Sequence, residues 1–288
     1  MVLKQHLGLL ASGSVVALFC LFGFIAPFVD YSAQDAVNQR ERQFCPPLFL
    51  DATPQQSKTC PKPTGSFFGT DHLGREVGIR LFKGIQAVFF PGCLAALLAI
   101  FIGGLLGAVG GYGRGIFRGA TLGFIRIIDT LPRMVFLILI CTIFRPSITL
   151  IALVAGILSI PTVATVVRDK VERLASEDYI LAYIAHGFRP VKILLYHILW
   201  LQCRSLLIRQ ASFIFGYIVF IEAALCYLGD YGVQEPDPSW GNMIAQAKSY
   251  ALMSTWPWLF PSLAAMITIA AFMAFGNVVA NRDEVVKR

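Results

Sequence analysis

The chain has 288 residues, of which 56% are hydrophobic and 14% are charged, and its formal net charge is +7. The mean hydropathy is +0.67, and a composition this apolar excludes an ordinary water-soluble domain. It predicts an all-α protein that crosses a membrane several times. In a membrane protein the positive charge sets the orientation of the loops, and we expect no nucleic-acid partner.

The first apolar run, residues 7–29, contains no charged residue and is long enough to cross a bilayer as a helix. A cleaved signal peptide is the alternative. The sequence PFV at 27–29 is unlike the small-residue cleavage site of such a peptide, which favours a retained helix. A polar segment, residues 30–66, follows and contains Cys45 and Cys60.

Five further apolar stretches have spanning length, and they are residues 87–112, 120–144, 146–167, 206–229 and 250–280. Six transmembrane helices place both termini on the same side of the membrane. Basic residues are more numerous in the loops on that side, so the positive-inside rule predicts that both termini are cytoplasmic.

With this topology the polar segment is extracytoplasmic, where disulfides persist. We therefore expect a disulfide between Cys45 and Cys60, worth roughly 3 kcal/mol through loop closure. The other cysteines lie in or beside spans without metal-ligand spacing, and we interpret them as small apolar side chains rather than metal ligands: Cys20, Cys93, Cys141, Cys203 and Cys226.

A glycine-punctuated turn, FGTDHLGRE at 68–76, precedes the second span and predicts entry into a basic amphipathic helix at the outer membrane surface. The stretch resembles the FGTDxLGRD signature of C-type permease subunits in the dipeptide and oligopeptide branch of ABC importers. A PSWG element at 238–241 resembles the same family's outer loop. The motif residues are Gly69, Thr70, Asp71, Gly74, Arg75 and Trp240. For Trp240, Trp256 and Trp258 we favour anchoring at the membrane interface.

The second and third spans carry two further patterns. Four-residue spacing of small residues in the second span predicts a close helix contact, and these residues are Gly103, Gly107 and Gly111. Charged residues in the third span share one helix face and predict an internal ion pair near the inner interface, with substrate contact as the alternative, and these are Arg126, Asp129 and Arg133.

A polar helical hairpin is predicted at residues 176–200. Ser176 is placed to cap its first helix, Gly187 to end that helix in the left-handed conformation, and Pro190 to begin the second helix. An ordinary loop between spans is the alternative.

The hairpin resembles the EAA loop of bacterial ABC importer permeases, although Leu181, Tyr183 and Trp200 depart from the family pattern. The resemblance implies a coupling helix that inserts into a cleft of the ATPase subunit. The residues that we assign to coupling are Glu177, Ala182, Gly187 and His197.

Glu222 is an acid within the fifth span, in the sequence IEAALCYLG at 221–229. An acid in a span is expected to face the bundle interior or water, so Glu222 is our candidate for the translocation path. The surrounding sequence resembles the EAALxFLGxGVQ stretch of the same family.

The resemblance extends over about residues 67–280 and implies an ABC importer permease fold. We divide the chain into residues 1–66, a transmembrane helix with an extracytoplasmic segment, and residues 67–288, a five-helix domain with a cytoplasmic coupling loop at 168–205. The implied function is ATP-driven import of dipeptides or oligopeptides by alternating access. The implied partners are a homologous second permease, two ABC ATPase subunits, an extracytoplasmic solute-binding protein and membrane lipid.

No GxxxxGK[ST] loop is present in the sequence, so we expect ATP and Mg²⁺ to bind to partner subunits. We expect this chain to bind no cofactor and to have no enzymatic activity. Import of another small solute of the same branch, such as an antimicrobial peptide, glutathione or nickel, is an alternative. An ion-coupled transporter acting alone is another. An intramembrane enzyme is disfavoured because the four histidines are scattered and no HExxH or GxSxG motif is present.

Overall fold

The structure is a computed structural model and describes residues 2–28, 43–48, 60, 66–113, 115–229, 231–234 and 238–286. Over these residues the chain is helical, with no β-structure beyond an isolated antiparallel bridge between Thr70 and Glu76. The helices, in chain order, are α1 (Val2–Ile25), α2 (Val77–Tyr112), α3 (Ile116–Asp129), α4 (Arg133–Ile143), α5 (Ile148–Ala175), α6 (Asp178–Ala185), α7 (Pro190–Leu228), α8 (Trp240–Ala247) and α9 (Trp256–Val286).

Within the described ranges, four helices are long and apolar enough to cross a membrane, and they are α2, α5, α7 and α9. Helix α1 adds a shorter apolar segment, Leu10–Ile25. The predicted third span is divided into α3 and α4 by residues 130–132. Pro132 explains the division, because it has no N–H to donate and it disfavours a helical conformation at Leu131.

Helices α2 and α5 pack against each other at close range. A Cβ atom added at Gly107 would lie 2.5 Å from the carbonyl oxygen of Ala164 and 2.8 Å from the Cβ atom of Val167. Cβ atoms at Gly103 and Gly111 would meet α5 atoms at 2.7 Å. The close contact predicted from the glycine spacing is therefore confirmed, and its partner is α5.

An aromatic cluster joins α1 to the other long helices. The ring of Phe19 in α1 lies 5.6–6.1 Å from the rings of Phe89, Phe215, Trp240 and Phe272. The rings of Phe215 and Phe272 stack at 4.3 Å. Helix α1 therefore shares this core with α2, α7, α8 and α9.

Helix α2 begins at Val77, earlier than the apolar run that predicted it. The expected amphipathic surface helix is the first part of α2. The surface assignment is wrong for Arg80, because this side chain is only 2% exposed and lies 3.7 Å from the carboxylate of Asp71. A nearby acid allows the arginine to be buried.

Candidate functional site

Gly187 ends α6 in the hairpin of residues 176–200. Its φ angle is +77°, as the sequence predicted. The N–H of Gly187 donates to the carbonyl of Ile184, and the N–H of Phe188 donates to that of Tyr183. This pair of hydrogen bonds is the Schellman motif, in which a left-handed residue satisfies the last carbonyls of a helix. The second helix then begins with Pro190 in its first turn, as predicted.

The start of α6 differs from the prediction. Glu177, rather than Ser176, occupies the N-cap position. Ser176 ends α5, and its hydroxyl donates to the carbonyl of Arg173. The preceding helix therefore uses the serine that we expected to cap α6, because α5 continues to Ala175 without a separating loop.

Aromatic rings connect the two arms of the hairpin. The ring of Tyr183 lies 5.3 Å from that of Phe188 and 4.2 Å from the imidazole of His197. His197 lies in a π-helical segment of α7, Ile193–Trp200. Among the described residues, its Nε2 atom is buried without a hydrogen-bond partner. Tyr183, one of the departures from the EAA pattern, thus fills the space between the arms.

The hairpin has a buried face and an exposed apolar face. Ile180, Ile193 and Ile198 are 0% exposed and belong to the main core. Large apolar side chains remain uncovered on the other face, which we call the hairpin face: Leu181, Ile184, Val191, Leu195, Tyr196 and Trp200. The predicted coupling residues Glu177, Ala182 and Gly187 are exposed, whereas His197 is half-buried between the arms.

Tyr179 is a titratable group in this hairpin whose environment shifts its pKa. Burial raises the pKa of the Tyr179 phenol, and the Glu177 carboxylate raises it further. The phenol therefore stays neutral near pH 7 and contributes an uncharged ring to the surface beside Glu177.

The motif turn at residues 68–76 is organised around the carboxylate of Asp71. Oδ1 accepts hydrogen bonds from the N–H groups of Leu73 and Arg75, and Oδ2 accepts one from Nε of Arg75 at 2.8 Å. Gly69 and Gly74 have φ angles of +77° and +80°, which permit the tight turn. The guanidinium of Arg75 then reaches Gln246 of α8, at 3.4 Å.

The same turn fastens the ends of α8 and α9 and the extracytoplasmic segment predicted from sequence. The carbonyl of Thr70 accepts from the indole N–H of Trp256 at 3.0 Å. Thr70 also exchanges two hydrogen bonds with the backbone of Cys45, and Cys45 and Cys60 form a disulfide with Cα atoms 5.6 Å apart. Trp240 donates to the carbonyl of Leu81 at 2.9 Å.

All the motif residues except Trp240 therefore lie in one turn, and Trp240 connects that region of α2 to α8. The prediction that Trp240 anchors the chain at the membrane interface is wrong, because its side chain is 2% exposed. It fills the space left by Gly84, where a Cβ atom would lie 2.6 Å from the indole. We call this assembly of the turn, α8 and the start of α9 the outer hub.

Glu222 of α7 lies at the N-terminus of α8. Its side chain is 1% exposed. Oε2 accepts from the N–H of Gly241 at 3.3 Å, and Oε1 accepts from the thiol of Cys226 at 3.1 Å. A carboxylate at a helix N-terminus is favourable because unpaired N–H groups and the helix dipole both point toward it. Glu222 faces the interior as expected, and its carboxylate joins α7 to α8, enclosed among the described residues.

An open cleft of about 440 Å³ lies beside this contact, between the end of α7 and α8. Its wall includes Cys226, Tyr227, Gln234, Asn242 and Lys248. The ammonium of Lys248 lies 4.5 Å from the centre of the Tyr227 ring. The described part of its wall thus combines carboxamides with the positive charge of Lys248.

The charged residues of the predicted third span lie at the junction of α3 and α4. The guanidinium of Arg133 is 3.5 Å from the carboxylate of Asp129, so this part of the predicted ion pair is confirmed. Arg133 also donates to the hydroxyl of Thr162 in α5 at 2.7 Å. Arg126 is exposed on α3.

Sequence reasoning missed several members of the outer hub. Gln246 and Asn242 are hydrogen-bonded to each other, and Ser239 caps α8 by accepting from the N–H of Asn242 at 3.0 Å. The Ser239-to-Asn242 spacing is a capping pattern that could have indicated α8 in advance. The contact between Arg75 and Gln246 joins residues 171 positions apart, and no local pattern could have indicated it.

Comparison with known proteins agrees with this architecture. The family model described as "Binding-protein-dependent transport system inner membrane component" matches residues 78–282. The dipeptide transport system permease protein DppC of Alkalihalophilus pseudofirmus is 31% identical over 91% of this chain and 81% of its own length. The oligopeptide transport system permease protein OppC of Haemophilus influenzae is 30% identical over 73% of this chain and 67% of its own.

The matched region includes α2 to α8 and α9 as far as residue 282, and with it the hairpin, Glu222 and the charged junction of α3 and α4. Proteins of this family are membrane components of transport systems and work with an ATPase and a solute-binding protein. The chain is therefore a multi-pass inner-membrane protein that belongs to the binding-protein-dependent transport system inner membrane components, and within them it is a DppC/OppC-like ABC permease subunit.

Proposed function

We propose that this chain forms half of the translocation path of an ATP-driven importer of dipeptides or oligopeptides and that it couples to an ATPase through the hairpin face. The observation that carries the proposal is the exposure of Leu181, Ile184 and Trp200, at 52%, 49% and 65%. A group of uncovered large apolar side chains on one structural element is typical of a contact with another protein. The peptide substrate class rests on the relatives that are named for dipeptide and oligopeptide transport.

The topology that we propose has six spans, with α3 and α4 together forming the third, and both termini in the cytoplasm. Basic residues cluster where α5 approaches the hairpin, at Arg168, Lys170 and Arg173. The positive-inside rule favours a cytoplasmic position for that end. The motif turn, the disulfide and α8 then lie on the extracytoplasmic side.

The assembly that we propose contains a homologous second permease, two ABC ATPase subunits and an extracytoplasmic solute-binding protein. ATP and Mg²⁺ bind to the ATPase subunits, and this chain holds no cofactor. Membrane lipid contacts the apolar side chains that α2 leaves exposed, such as Leu97 and Phe101.

Helix α7 supports a mechanical route from the ATPase to the outer side. It continues for 39 residues from Pro190 in the hairpin, through the π-helical segment, to Leu228, and its α-helical part of 28 residues, Leu201–Leu228, alone is about 42 Å long. Near the start of α7, Ile193 and Ile198 are buried in the core. Near its end, the Glu222 carboxylate binds the N-terminus of α8. A displacement of the hairpin would therefore tilt α7 and carry the outer hub with it, as alternating access requires.

The test is reconstitution of the complex in proteoliposomes with ATP inside and the binding protein with labelled dipeptide outside. We expect uptake that requires ATP and the binding protein. Peptide uptake driven by an ion gradient without ATP would contradict the proposal and favour an ion-coupled transporter acting alone. ATP-dependent uptake of glutathione or nickel, but not of peptides, would leave the importer assignment and overturn the substrate class.

A further inference from the structure

The junction of α3 and α4 interrupts the predicted third span and exposes charged side chains. Helix α3 has 14 residues and α4 has 11, so neither is long enough to cross a membrane alone. Residues 130–132 between them are exposed in this chain. Non-helical backbone at membrane depth is tolerated only where it is buried in protein or lines a water-filled cavity.

The contact between Arg133 and Thr162 fixes the depth of this junction. Thr162 lies 6 positions before Arg168, the first charged residue of α5, a distance of about 9 Å along the helix. It lies 14 positions after Ile148, about 21 Å from the other end. The guanidinium of Arg133 is 2.7 Å from the Thr162 hydroxyl and therefore lies within the apolar layer, which is about 30 Å thick.

Lipid is an unfavourable neighbour for the exposed side of this junction. The side chains of Arg133 and Asp129 are 34% and 59% exposed. Charged side chains are costly in the centre of a bilayer and occur there mainly where they face a bundle interior or a water-filled path.

The Asp129–Arg133 pair keeps bonding capacity for a ligand. The guanidinium has five N–H donors and the carboxylate has about four acceptor positions, whereas their own contact is a single N–O approach of 3.5 Å. An exposed ion pair of this kind contributes little stability, so the two side chains can separate at low cost and each bind an oppositely charged group of a ligand. A peptide with free ends carries one carboxylate and one ammonium group.

We propose that Asp129 and Arg133 form a binding site on the translocation path for the charged ends of a peptide, with Arg133 binding the carboxylate and Asp129 the ammonium group. This inference rests on the proposed function and names the residues that contact the substrate. It also moves the path from Glu222, which is enclosed, to the exposed junction of α3 and α4.

The first experiment measures uptake of trialanine and of trialanine amide by the complete complex in proteoliposomes, each at a concentration that saturates the binding protein. Arg133→Gln should lower trialanine uptake about tenfold, the effect expected for one lost charge-assisted hydrogen bond, and leave amide uptake nearly unchanged. Arg133→Lys keeps the charge and should restore part of the discrimination. Arg145→Gln, a change at an exposed arginine between α4 and α5, is the matched control and should behave as wild type.

Two outcomes distinguish a failure of the binding-site proposal from a failure of the proposed substrate class. If wild type takes up trialanine and Arg133→Gln lowers both peptides equally, Arg133 supports the helix junction only and the binding-site proposal is overturned. If the wild-type complex hydrolyses ATP and takes up neither peptide, the proposed substrate class fails, and this proposal fails with it.

The second experiment tests access of water to the junction. Thr130→Cys in the assembled complex should react with a membrane-impermeant thiol reagent above the background of the parent chain. Leu97→Cys, on the exposed apolar side of α2, should not react. Equal protection of both cysteines would place the junction against the second permease or lipid and contradict the proposal.

Discussion

Substitution of Gly187 tests whether the hairpin conformation transmits ATP hydrolysis to transport. With φ at +77°, an L-residue at this position pays about 1–2 kcal/mol for the left-handed conformation, and a β-branched residue pays more. Within the described part of the chain, an added Cβ atom would meet no atom within 4 Å. The cost therefore depends on backbone conformation and not on side-chain size.

The structure also indicates what that cost would disrupt. If residue 187 leaves the left-handed conformation, the hairpin loses the hydrogen bond from Phe188 N–H to the Tyr183 carbonyl. It also loses the ring contact between Tyr183 and Phe188. A change of 1–2 kcal/mol shifts a conformational ratio by a factor of about 5–30. We expect coupled uptake to fall within that range for Gly187→Ala and Gly187→Leu, to fall further for Gly187→Val, and to fall least for Gly187→Asn.

The assay compares peptide uptake with ATP hydrolysis in proteoliposomes at equal amounts of assembled complex. ATP hydrolysis should persist while uptake falls, because the change alters transmission and not the ATPase. An effect that follows side-chain volume, with alanine near wild type and leucine severe, would refute the conformational explanation. Normal uptake by the valine variant would refute the coupling assignment.

Three further predictions concern stability and covalent structure. Gly107→Ala should destabilise the chain by about 1–3 kcal/mol by overpacking against α5, whereas Gly123→Ala, with no described atom within 4 Å of its new Cβ, should not, as measured by thermal unfolding in detergent. Asp71→Asn should cost about 3–5 kcal/mol in the same assay because it removes the carboxylate that contacts buried Arg75 and Arg80. Thiol labelling of Cys45 from outside should require reductant.

Each of these predictions has a contradicting result. Equal melting temperatures for the two glycine variants would argue against close packing of α2 on α5. A neutral Asp71→Asn variant would mean that the motif turn does not depend on its carboxylate. Labelling of Cys45 to the same extent with and without reductant would argue against the disulfide with Cys60.

Local patterns in the sequence predicted the features that depend on local chemistry. Gly187 and Pro190 have the roles expected from their backbone preferences, and the glycine spacing in α2 marks its contact with α5. These predictions succeeded because a positive φ angle, a missing N–H and a missing side chain act within one turn or along one helix face.

Features that depend on tertiary contacts were predicted less well. Trp240 was assigned to the membrane interface because tryptophan is common there, yet Gly84 on a distant part of the chain opens a space for it in the core. Arg80 was placed on the surface because it is charged, yet Asp71 allows its burial. In the first case a partner far away in the sequence, and in the second a partner across a turn, outweighs the usual preference of the residue type for the membrane interface or the surface.

The central claim is that the hairpin face binds an ATPase, and crosslinking from Leu181 in native membranes tests it most directly. A photoreactive residue at Leu181, which is 52% exposed, is compared with one at Leu97, which is 64% exposed on the apolar side of α2. We predict that Leu181 captures an ABC ATPase subunit and that Leu97 does not. If neither position captures a nucleotide-binding protein although both react efficiently, the hairpin face does not couple this chain to ATP hydrolysis.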